Sequence, residues 1–166
     1  MKVTKIEAAQ KQLNIAIYLY FSDYDIISTH TLSAAARWIL YDLAKKENIS
    51  PNLWVIKKWY RQSYEIFIRK AQNFFKHAGE IRDSKDTSLE FSEDMTQMLL
   101  YEAITLYLAL TWELTTHMKL FKSFYFLNNF NKIESENIKK IVKKQKKEFN
   151  NRIPNKKEFY EKMLEK

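Results

Sequence analysis

The chain has no cysteine, a single glycine and two prolines in 166 residues. Without cysteine there is no disulfide, no thiolate zinc site and no cysteine nucleophile. One glycine excludes a glycine-rich phosphate loop or a dinucleotide fingerprint, because both need backbone free of side chains. Tight β-turns draw on glycine and proline, so their scarcity argues for a few long helices. A long charge-free apolar run is also missing. The most apolar stretch, 98–114, carries Glu102 and Glu113 and reads as a buried helix, not a membrane span. Residues 1–12 show no apolar signal core and no small-residue cleavage site, so we expect a cytoplasmic protein with no stable membrane insertion.

What is present is core material. Hydrophobic residues make up 46% and aromatics 15%, which is ample for one core at this length and too apolar for a disordered chain. The net charge of +8 is uneven. Residues 1–131 hold 16 basic and 14 acidic side chains, whereas residues 132–166 hold 12 and 6. We therefore expect a near-neutral helical bundle domain, 1–131, followed by a basic C-terminal helical appendage, 132–166.

Helix signals run along the whole chain. Thr4 and Glu7 form a capping-box pattern that opens a helix reaching about Phe21. A second helix is expected from about Thr29 to Glu47. A third starts at Ser50-Pro51, an N-cap followed by proline at the first helical position, and runs to Ala78. The lone glycine, Gly79, follows where a left-handed cap belongs. Ser92, Glu93 and Asp94 open a fourth helix, apolar nearly all round and expected at the centre, which runs to about Phe121 or on through Phe126. Ser135 caps a basic helix to about Phe149, and Asn155 with Glu158 caps a short last one. The pattern predicts an all-α fold: an up-and-down four-helix bundle with an additional basic C-terminal helical segment.

The chemistry-bearing residues gather in the second and third helices. Asn73 and His77 are four apart, on one helix face. His77 falls in the last turn, where the helix dipole favours the protonated ring, and Lys76 adds charge beside it. Arg69 and Lys70 lie about one turn earlier. His30 sits among Ser28, Thr29 and Thr31, near an expected helix start whose free N–H groups can bind an anion. Together Arg69, Lys70, Lys76 and His30 are candidate phosphate contacts, with Asn73 and His77 as candidate catalytic residues. Plain roles fit as well: Lys76 and His77 also suit a helix C-cap, and His30 a solvated first turn.

Other groupings are weaker. Glu113 and His117 are one residue too far apart for a di-iron bundle motif, and that motif must occur twice. No metal ligand set or cofactor is expected. The lysines from Lys139 to Lys147 make an amphipathic helix with Ile138, Ile141, Val142 and Phe149. It suits a phosphate backbone, an anionic membrane, or a solvated helix docked by one edge. Phe121, Phe124, Tyr125, Phe126 and Phe130 suit core packing or a dimer interface better than base stacking.

The strings His30-Thr31-Leu32-Ser33-Ala34-Ala35-Ala36 and Asn73-Phe74-Phe75-Lys76-His77-Ala78 resemble a family of short bacterial all-helical proteins with no assigned activity, over about the first two thirds of the chain. Gln72-Asn73-x-x-x-His77 is remotely similar to the motif of the HEPN superfamily (higher eukaryotes and prokaryotes nucleotide-binding), which is arginine, a polar residue, three residues, histidine. Gln72 stands here in the place of the arginine. That resemblance implies binding of RNA or a nucleotide by a homodimer, with metal-independent RNA cleavage in many members. It implies His77 as general acid/base and Asn73 as the residue orienting the phosphate. The alternative, from another class, is a non-catalytic helical module for protein–protein interaction or dimerisation.

Overall fold

The computed structural model of the protein describes residues 1–49, 61–76, 88–133 and 135–165, with backbone alone at 61–65, 76 and 132. The described residues form seven α-helices and a short 3-10 turn, with no strand.

Local chemistry explains most helix starts. Helix α1, Lys5–Phe21, opens on the capping box: the Glu7 amide donates to Thr4 Oγ1 at 3.2 Å and the Thr4 amide to Glu7 Oε2 at 2.8 Å, which satisfies two otherwise orphaned donors. Helix α2 is Ile26–Lys46. It begins before the expected Thr29 because Asp25 is the cap, accepting from the Ile27 amide at 3.0 Å. Helix α3, Arg61–Lys76, is the described part of the third expected helix. The Ser50-Pro51 start and the Gly79 end lie outside the described residues.

The fourth expected helix is two helices. Helix α4, Glu93–Thr111, stops at Trp112, whose φ of 60° is left-handed. Helix α5, Thr116–Asn128, then restarts on Thr115, whose hydroxyl accepts from the Met118 amide at 3.3 Å. The apolar pattern continues across the break, but the left-handed residue ends the helix there. Helix α6, Glu136–Lys147, and helix α7, Lys156–Leu164, begin on the expected caps Ser135 and Asn155.

Helix α2 lies between α1 and α4, and α3 packs against α2. Alanines on α2, Ala34 and Ala36, are fully buried, and their small size lets neighbouring helices approach closely. The main core takes Leu13 and Ile17 from α1, Leu40 from α2, Leu100 and Ile104 from α4, and Phe121 from α5. Phe149 and Phe159, from the basic end of the chain, belong to the same core. The Phe159 ring lies 5.2 Å from Phe124, and Tyr160 stacks on Phe21 at 4.7 Å. The C-terminal segment is thus packed on α1 and α5, through aromatic pairs that add stability beyond their buried area.

Candidate nucleic-acid interface

Helix α3 has one buried face and one exposed face. Ile68 and Ala71 are fully buried, and Ile68 packs with Ala34 and Leu99. With 100° per residue, that burial turns positions 66, 69, 70 and 73 outward. Ile66 is 62% exposed, and Arg69, Lys70 and Asn73 are exposed beside it. Three of the predicted site residues therefore share one solvent-facing side. His77 lies outside the described residues, as does the side chain of Lys76.

Trp38 on α2 fixes the rotation of α3. Its indole Nε1 donates to Gln72 Oε1 at 2.8 Å, and the Arg69 guanidinium carbon lies 5.3 Å from its ring centre. Gln72, at the place of the motif arginine, is thus engaged in holding α3 on α2. Arg69 is exposed as a residue while its guanidinium lies against an aromatic ring, an arrangement that pre-orders the cation.

His30 is not with them. It is fully buried, on the inner side of α3, edge-on to Phe75 at 5.9 Å and Phe91 at 4.9 Å. Its Nδ1 is 3.2 Å from Thr96 Oγ1. Burial alone pulls its pKa down to about 4, because a charged imidazolium has no compensation there. The expected phosphate contact at His30 is therefore corrected: the ring is neutral and inside. The cause is the earlier helix start, since the free N–H groups of the first turn belong to residues before it.

The structure also assembles groups that sequence reasoning did not join. Arg37, with no exposure, bonds Glu102 from Nη2 to Oε1 at 3.0 Å, and its guanidinium carbon is 4.6 Å from the Trp38 ring. The available signal was a charge on each of two apolar helix faces. Lys156 at the start of α7 bonds Asp23 Oδ1 at 2.6 Å, pairs with Glu93, and sits 4.4 Å above the Tyr20 ring. Beside it runs a cleft of about 370 Å³ lined by Tyr20, Glu93, Asp94, Gln97, Asn128 and Lys156 among others. Burial, then the Glu93 charge, push the Tyr20 hydroxyl above its ordinary range, so it stays protonated and accepts from Gln97 at 2.9 Å. His117, the other histidine weighed as a ligand, turns its Nδ1 onto the Tyr160 hydroxyl at 2.7 Å. Among the described residues no three His, Asp or Glu side chains converge as a metal site requires, and no helix is long and apolar enough to cross a membrane.

Set against known proteins, the chain matches no family model, no curated protein and no solved structure.

Proposed function

We propose that this protein is a HEPN-like helical protein that binds RNA or a nucleotide through the outer face of α3. The observation that supports it is the joint exposure of Arg69, Lys70 and Asn73 on that face, while the inner face is engaged by the core and by Trp38. In this reading α1 to α4 are the up-and-down four-helix bundle, and the protein works as a cytoplasmic homodimer. Arg69 and Lys70 hold the phosphate, standing in for the motif arginine, and Asn73 orients it. His77 takes the proton of the ribose 2′-hydroxyl. The 2′-oxygen then attacks the adjacent phosphorus, and the bond to the 5′-oxygen breaks as that oxygen takes back the proton held by His77, giving a 2′,3′-cyclic phosphate and a 5′-hydroxyl.

The test is anisotropy of a labelled single-stranded RNA, with product analysis in the presence of chelator. Arg69→Ala with Lys70→Ala should weaken RNA binding at least about tenfold. His77→Ala should stop cleavage while leaving binding and the helical spectrum intact. Unchanged RNA affinity in the Arg69/Lys70 variant defeats the reading.

A second reading, a non-catalytic interaction or dimerisation module, is favoured by exposed apolar surface. Trp112 is 85% exposed. Its turn is held on α1 by the Thr115 hydroxyl donating to Asn14 Oδ1 at 2.7 Å, and Ile15 and Tyr18 are exposed on that helix. Exposed aromatics of this kind anchor interfaces. A dimer abolished by Trp112→Ser in light scattering would support it.

A further inference from the structure

The side of α6 that faces away from the core carries four lysines, with Ile141 67% exposed at its edge. Val142 is 2% exposed and Phe149, just beyond the helix, is equally buried. At 100° per residue, Lys140, Lys143, Lys144 and Lys147 fall in one arc opposite those two, and all four are exposed. None of the four is ion-paired among the described residues. The one carboxylate within the helix, Glu136, bonds Lys139 at 2.8 Å. The four lysines also stand at i,i+3 and i,i+4 spacings, where like charges repel and weaken a helix. Neutralising such charges from outside would relieve that repulsion.

We propose that this α6 face docks the phosphodiester backbone of single-stranded RNA. Charge complementarity selects a polyanion, and the helix's own packing counts against a membrane surface. An interfacial membrane helix must put an apolar side into lipid, yet here Val142 and Phe149 are committed to the protein core and Ile138 packs against it, which leaves Ile141 as the single large apolar side chain that α6 exposes. Every contact would come from a flexible point charge, with no guanidinium fork and no aromatic ring between them, so binding would follow charge density and ignore base sequence. The inference takes its ligand class from the reading of α3 but stands on different side chains.

The full-length protein is titrated with fluorescein-labelled oligouridylate from 50 to 200 mM KCl, a range suited to a salt slope. Replacing all four lysines by glutamine should lower the log–log salt slope by about 3, at roughly 0.7 per phosphate contact on a single strand. Replacement by arginine should keep the slope. If the fourfold variant does not fold, Lys143→Gln with Lys147→Gln should lower it by about 1.4. An unchanged slope overturns the proposal. So does wild-type protein that ignores the RNA but binds phosphatidylserine vesicles. The Arg69/Lys70 variant separates the two ideas. RNA binding lost only with the α6 substitutions sinks the α3 reading and keeps this one, and the reverse pattern does the opposite.

Discussion

Arg37 on α2 and Glu102 on α4 meet inside the protein, Nη2 to Oε1 at 3.0 Å, with the arginine side chain wholly out of water. The pair joins α2 to α4 across a mostly apolar interior. Removing Glu102 takes from the buried Arg37 guanidinium a carboxylate bonded to it. Glu102→Ala should therefore cost about 3–5 kcal/mol, whereas Arg37→Met with Glu102→Leu should recover most of that loss. Urea unfolding of the two single variants and the double variant measures the coupling. Additive losses would show that the pair does not act as a unit.

His30 makes stability depend on mildly acidic pH. Its pKa is about 4 in the folded protein, against an ordinary 6.5. Between those values the unfolded chain binds a proton that the folded chain refuses, so stability falls as pH drops from 6.5 to 4 and the effect levels off below that. The loss is on the order of 3 kcal/mol. Thr96, Phe75 and Phe91 surround the ring and carry no charge to offset it. His30→Phe should flatten this part of the curve in denaturant melts run across the window. A slope that persists in the variant would assign the effect to other groups.

Lys156 fastens the last helix. It joins Asp23 beyond α1, Glu93 at the start of α4 and the face of Tyr20, while remaining only 15% exposed. Asp23 and Glu93 are largely solvated, so screening keeps the gain modest. We expect Lys156→Ala to cost about 1–2 kcal/mol and to raise hydrogen exchange along 156–164 before the rest of the chain. Uniform exchange across all helices would contradict a local clasp.

Trp112 holds a backbone conformation that suits glycine. Its φ is 60°, and with 85% exposure its indole contributes little packing. Trp112→Gly should stabilise the fold by about 1 kcal/mol, or roughly 2–4 °C in melting temperature at this length. A lowered melting temperature would mean that the indole packs on the protein in solution.

Features set by neighbours in sequence were legible from sequence. The cap at Thr4, with Glu7 three residues on, and the caps at Ser135 and Asn155 were read from side chains within one turn, and all three open helices where expected. The all-helical class followed from composition. The split at Trp112 was not legible, because the apolar pattern runs on while a single backbone angle ends the helix. The candidate cluster was legible in part: Arg69, Lys70 and Asn73 share a face by helical spacing alone, and burial of Ile68 and Ala71 turns that face to water.

By itself, then, the sequence determined that the chain is helical, where most helices begin and that its charge gathers at one end. Those properties depend on short-range backbone hydrogen bonding and on residue counts. Only the tertiary structure decided that His30 is buried and uncharged, that Arg37 finds Glu102, and that the basic end packs its aromatics into the common core. Burial and charge pairing arise between residues far apart in the chain, and no local pattern carries that distance.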